Sequence, residues 1–148
     1  MQNKSHKTAK TRTKPSAPMK YLFDQGLLDV YGKLDYGCGK GLDADHYLMC
    51  KYDPYYFSDE LAIKTRKYDV VTCNYVLNTI SIEEANSVIE KIKALLNNNG
   101  IAYISVRRDL KKEGYTKTGT YQRNVVLDLP VLYEKSGFFC IYELKNEL

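Results

Sequence analysis

The pattern of apolar and polar positions divides the chain into short alternating elements. Residues 19–28 place Met19, Leu22 and Phe23 at i, i+3 and i+4, the spacing of a short helix, with Gly26 as its stop. Residues 1–18 read as extended, because Pro15 and Pro18 disfavour helix. Residues 31–36 predict a strand that runs into glycines at 37, 39 and 41, followed by a brief helix over 44–48. A second strand covers 48–52 and ends at Asp53-Pro54; a third, rich in β-branched residues, covers 68–75. The clearest helix starts at Ser81, where Glu84 completes a capping box. Ile82, Ala85, Val88, Ile89, Ile92, Leu95 and Leu96 then recur at helical spacing until Asn97–Gly100. A buried-type strand follows over 101–106. Two more strands are predicted over 120–127 and 138–144, with a turn of helix near 131–135.

Strands alternating with helices predict an α/β fold around a mainly parallel sheet with helices on both faces, the last two strands pairing antiparallel. The chain's 148 residues suit one domain, 19–148, preceded by an arm, 1–18. No apolar run reaches the ~18 residues of a membrane span, and the first twenty residues hold no apolar leader core. Cys38, Cys50, Cys73 and Cys140 lack metal-site spacing and read as reduced thiols of a cytoplasmic protein, with no metal expected.

Charge changes the picture at one end only. Lys4, Lys7, Lys10, Arg12, Lys14 and Lys20 face no acid in the first twenty residues, which leaves sixteen basic against eighteen acidic side chains elsewhere. The basic character belongs to the arm. Such an arm suits phosphate contacts with RNA or DNA, or serves as a solubilising tail.

The candidate chemistry lies in Asp35-Tyr36-Gly37-Cys38-Gly39-Lys40-Gly41. A strand entering glycines at alternate positions lets a ligand approach the backbone closely, because no Cβ intervenes. The spacing is G-x-G-x-G, which departs from the dinucleotide fingerprint. Asp53 follows Asp35 by eighteen positions, where a carboxylate can accept both hydroxyls of a ribose.

This segment resembles the class I S-adenosylmethionine-dependent methyltransferases. The likeness continues through Tyr68-Asp-Val-Val-Thr-Cys-Asn-Tyr-Val-Leu-Asn-Thr-Ile and Asn99-Gly-Ile-Ala-Tyr-Ile-Ser-Val, and covers residues 33–106. It implies a compact Rossmann-like fold and S-adenosylmethionine as cofactor. Gly37, Cys38 and Gly39 would cradle the methionyl part, and Gly41 would also bind the cofactor; independently of the resemblance, N–H groups at the start of the helix after the turn favour a negative group or lone-pair acceptor. Asp35 would orient the turn or meet the amino group, Asp53 would hold the ribose, and Asn74 and Tyr75 would line the floor near the methyl. Asp69 follows Asp53 by only sixteen positions, so the third-strand region is reduced. The compaction, and an arm of the form T-x-x-x-R-T-K-P-S-A-P over 8–18, resemble a compact phage and bacterial methyltransferase-like group.

The acceptor is less defined. Asn78, Arg107, Arg108 and Tyr121 are catalytic candidates by placement alone. Asp53-Pro54-Tyr55-Tyr56 resembles an amine-methylating D-P-P-Y signature, but it follows the wrong strand. Basic residues and tyrosines interleave over 107–123, which suits phosphate contact and base stacking. The leading expectation is a methyltransferase acting on nucleic acid or a nucleotide-like substrate. The alternatives are a small-molecule or protein methyltransferase, or a non-catalytic cofactor-binding partner subunit.

Overall fold

A computed structural model describes residues 5–9, 13–117 and 119–147. Its centre is a six-stranded sheet formed by β1 (Lys33–Tyr36), β2 (Cys50–Tyr52), β3 (Tyr68–Asn74), β4 (Leu96–Arg107), β7 (Val131–Lys135) and β8 (Phe139–Lys145), in the order β2-β1-β3-β4-β8-β7. The first four strands run parallel to their neighbours; β8 is antiparallel to both β4 and β7. A separate hairpin joins β5 (Gly114–Tyr115) to β6 (Tyr121–Gln122).

Alternation along the central strands makes two cores. Leu34, Val71, Cys73 and Ile104 face Ala85 and Ile92 of α4 (Ile82–Ala94). Val70, Tyr103 and Ile141 face Met19 and Leu22 of α1 (Ala17–Asp24) and Ala44 of α2 (Leu42–His46). Helices therefore cover both faces, which lets the strands be apolar on both sides. The α4 capping box forms as predicted, with Glu84 N–H donating to Ser81 Oγ at 3.1 Å. Asn99 takes the left-handed φ of 63° within an irregularity where the β3–β4 register moves from Tyr68↔Leu96 to Val70↔Ile101.

Several elements differ from the sequence reading. α1 begins at Ala17 and contains Pro18, because a first-turn N–H has no helical partner to lose. Residues 131–135 form strand β7, not a helical turn. Gly137 at φ 78° closes a tight hairpin into β8, in which Phe138 N–H donates to the Lys135 carbonyl. Of the strand predicted over 120–127, only β6 forms. Beyond it the backbone bonds a loop instead of a ladder, Arg123 N–H donating to the Asn78 carbonyl at 2.8 Å. Between β2 and β3 the described residues hold the one-turn α3 (Leu61–Lys64) and an isolated Asp53↔Phe57 bridge, so β2 is an edge strand. Among the described residues no helix is long and apolar enough to cross a membrane.

Candidate cofactor and acceptor site

A cleft of about 1120 Å³ opens along the C-terminal ends of β1, β3 and β4, where parallel α/β sheets bind ligands. All eight residues assigned to the cofactor by resemblance line it: Asp35, Gly37, Cys38, Gly39, Gly41, Asp53, Asn74 and Tyr75.

The glycine turn is built differently from an anion cradle. The N–H groups of Gly37 and Cys38 both donate to the Tyr52 carbonyl, at 2.7 and 3.0 Å. Gly39 N–H donates to Asp53 Oδ2 at 2.8 Å, and Gly41 N–H donates to the Cys38 carbonyl. These donors are occupied within the protein. The turn thus lets a ligand lie close against the main chain without receiving the N–H groups of Gly37, Cys38, Gly39 and Gly41. Asp35, Asp43 and Asp53 surround the turn and line the cleft. The Asp43 and Asp53 carboxylates, beside N–H groups that are already engaged, favour a cationic ligand over a phosphate.

Asp53 has a bracing role that the sequence did not show. Its Oδ1 accepts from the backbone N–H groups of Tyr55 and Tyr56, at 2.9 and 3.0 Å, and its Oδ2 accepts from Gly39. The carboxylate is fixed by three backbone donors and braces the glycine turn against the segment after β2. Asp43 is held similarly, by Ser16 N–H at 2.8 Å and Ser16 Oγ–H at 2.7 Å.

Asp35 is 3% exposed and accepts a hydrogen bond from Thr72 Oγ at 2.9 Å. Burial pushes its carboxyl up to about 8, and the nearby Asp43 and Asp53 carboxylates add to the rise against the opposing Thr72 bond. The unfolded carboxyl titrates near 3.8, so between about pH 4 and pH 8 the native protein holds a proton that the unfolded chain has released. Stability therefore falls as pH rises through that window. In urea unfolding from pH 5 to 8, Asp35→Asn is expected to remove this slope, at most ~1.4 kcal/mol per pH unit. Parallel pH profiles for variant and wild type would contradict it.

The remaining candidates separate. Arg107 lines the cleft, its guanidinium paired with Asp109 at 2.8 and 3.0 Å. Asn78 is fully buried; its Oδ1 accepts from Arg107 N–H and its Nδ2 donates to the Arg123 carbonyl. That amide joins β4 to the hairpin loop. Arg108 donates to the Val125 carbonyl and Tyr142 Oη, and the Tyr121 ring meets Tyr115 at 5.5 Å. Asn78, Arg108 and Tyr121 do not line the cleft, so their bonds serve the scaffold that shapes it. The Cys38 and Cys73 thiols are held well above the usual thiol range, first by burial and then by Asp35, which disfavours the thiolate form.

Of the basic arm, Lys4, Lys10 and Arg12 lie outside the described residues. Lys14 is exposed and Lys20 pairs with Asp24. The arm's short 3-10 turn, Ser5–Thr8, sits at the cleft: the His6 ring stacks on Tyr55 at 3.9 Å, and Tyr56 Oη–H donates to the His6 carbonyl. Sequence reasoning gave no signal for this contact, because the stacking partners are 49 positions apart.

One observation tests whether the cleft suits S-adenosylmethionine: the Asn74 side chain has both polar atoms buried without a partner at the end of β3, as a ligand-facing amide would, and this fits. Gly37 packs against the protein itself, since a Cβ there would lie 2.4 Å from Val76 Cγ2, so the approach of the turn to the end of β3 depends on glycine. Gly37, Gly39 and Asn74 would hold the methionyl end and Asp53 the ribose; the cofactor supplies an electrophilic methyl on a cationic sulfur.

Residues 17–143 match the model of a methyltransferase-domain family, and the chain belongs to that family. It is a class I S-adenosylmethionine-dependent methyltransferase, and so an enzyme that transfers methyl groups. Its fold is similar to that of 1,6-didemethyltoxoflavin-N1-methyltransferase from Burkholderia thailandensis, solved with S-adenosylhomocysteine: TM-score 0.61, 14% identity, 89% of this chain and 78% of that one. It is also similar to an N-methyltransferase from Bradyrhizobium japonicum in complex with S-adenosylhomocysteine, with TM-score 0.56, 12% identity and 97% of each chain covered. Magnesium protoporphyrin IX methyltransferase from Synechocystis, with bound S-adenosylhomocysteine, gives TM-score 0.54 and 16% identity over 88% of this chain and 80% of that one. No curated protein sequence matches.

Proposed function

We propose that this methyltransferase acts on a nucleobase, carried by a nucleotide or a single-stranded nucleic acid. The observation that carries the reading is the seating of the arm. Its Ser5–Thr8 turn is fixed to Tyr55 and Tyr56 at the cleft, within the most basic stretch of the sequence. Phosphates drawn to that stretch bring their bases to the methyl donor. Lys91 and Lys135 also line the cleft. Arg107, Arg108 and Arg123 are engaged internally, and this favours a second reading, a small acceptor without a polyanion.

Salt separates the two. Neutralising the arm (Lys4→Gln, Lys7→Gln, Lys10→Gln, Arg12→Gln and Lys14→Gln together) is expected to weaken single-stranded RNA binding at least tenfold at low salt. It should also flatten the salt dependence by about 0.7 in log–log slope per lost phosphate contact. Fluorescence anisotropy across a salt series measures both. Wild-type binding that ignores salt, with no methyl incorporated into RNA, DNA or nucleotides from tritiated cofactor, would leave the small-acceptor reading.

A further inference from the structure

Gln122 lines the cleft, is 7% exposed, and its Oε1 is buried with no hydrogen-bond partner. Leaving an amide oxygen buried and unpaired is destabilising, so its position calls for an account. The backbone around it is fixed. Gln122 pairs with Gly114 across the β5–β6 hairpin. The next residue, Arg123, donates N–H to the Asn78 carbonyl at 2.8 Å and accepts from Asn78 Nδ2 at 2.9 Å. Arg123 Nε also donates to the Ile80 carbonyl at 2.6 Å. These bonds clamp the hairpin onto the 3-10 turn Leu77–Thr79, three residues beyond Asn74 at the end of β3. The clamp brings an unpaired amide oxygen from the C-terminal part of the chain to the cleft whose floor holds Asn74 and Tyr75.

We infer that Gln122 determines acceptor specificity: its Oε1 receives an N–H from the edge of a nitrogen heterocycle bound in the cleft. The inference rests on the nucleobase reading above and names the residue that recognises the base. An amide oxygen only accepts, so it demands a donor on the acceptor molecule, and nucleobase edges present amino or ring N–H groups. Sites built around such a bond discriminate strongly against ligands that lack it. The bonds that fix the glycine turn and Asp53 come from Tyr52, Tyr55, Tyr56 and the turn itself, so the effect of Gln122 falls on the acceptor and not on the cofactor.

The test uses the full chain, tritiated S-adenosylmethionine, and the four nucleoside monophosphates and four homo-oligonucleotides as probe acceptors. Gln122→Leu is expected to lower kcat/KM for the methylated probe at least tenfold while cofactor affinity and melting temperature stay at wild-type values. Gln122→Glu keeps an acceptor oxygen and is expected to retain more than half of the lost activity. A methylated probe with equal kcat/KM for Gln122→Leu and wild type overturns the inference and leaves the proposed function standing. A Gln122→Leu chain that melts early or loses cofactor affinity also overturns it, by showing a structural role. Wild-type protein that methylates none of the probes overturns the nucleobase reading, and this inference with it.

Discussion

Gly37→Ala is expected to lower affinity for S-adenosylmethionine at least a hundredfold and to cost ~2–4 kcal/mol of stability. Gly37 takes φ 76°, where an L-residue costs ~1–2 kcal/mol. Its added methyl would also lie 2.4 Å from Val76 Cγ2. Val76 cannot yield easily. It follows Tyr75, itself at φ 63° with its N–H fixed to the Ser105 carbonyl, and it precedes the Leu77–Thr79 turn. Relief of the clash separates the glycine turn from the end of β3, the two walls that would hold the cofactor. Gly26→Ala is the control. Gly26 has the same φ of 76°, but nothing lies within 4 Å of the place its added methyl would take, so only the conformational cost should appear, with affinity unchanged. Calorimetric titration and urea unfolding of both variants separate strain from steric loss. A Gly37→Ala chain that binds as wild type would remove the turn from the site.

How far the sequence could be read depended on the range of the interactions involved. The capping box at Ser81 and Glu84, the helical repeat through α4 and the β1–glycine turn are local, and all three appear where the residues place them. The hairpin of β7 and β8 was harder, because residues 131–135 carry no clean alternation and the closing Ser136-Gly137 turn is the only strong cue. Placement by sequence put Asn78 and Arg108 among the reactive groups. Their partners, Arg123, Val125 and Tyr142, lie 17 to 45 positions away, and no local pattern reports that the polar atoms are already bonded. The same limit hid the Ser16–Asp43 bond and the His6–Tyr55 stack, which bring the arm onto the cofactor cleft. The glycine motif marked a turn that lines the cleft. Its electrostatic sense, acids around donors that are already engaged, depends on which oxygens those donors meet, and that is a property of the fold.

Asp53→Ala is expected to lower stability and cofactor affinity together. Removing the carboxylate takes the acceptor from the N–H groups of Gly39, Tyr55 and Tyr56 together. Charge-assisted bonds contribute ~1.5–3 kcal/mol each and are not additive here, because one rigid carboxylate serves all three. A stability loss of ~2–4 kcal/mol follows from the unbraced turn, and cofactor affinity should fall by two orders of magnitude or more. Asp53→Asn resolves the two functions. One amide oxygen remains for Tyr55 and Tyr56, while the amide nitrogen faces Gly39 N–H donor to donor, so the brace on the glycine turn fails selectively. If ribose binding alone explained Asp53, the asparagine variant would keep wild-type stability and lose only affinity. If Asp53 were a brace alone, affinity would track stability, and the variants would show the same affinity deficit for a cofactor analogue lacking the ribose hydroxyls as for the cofactor. Loss of stability in both variants, with an affinity deficit that shrinks but persists for the deoxy analogue, is the outcome that assigns Asp53 both functions.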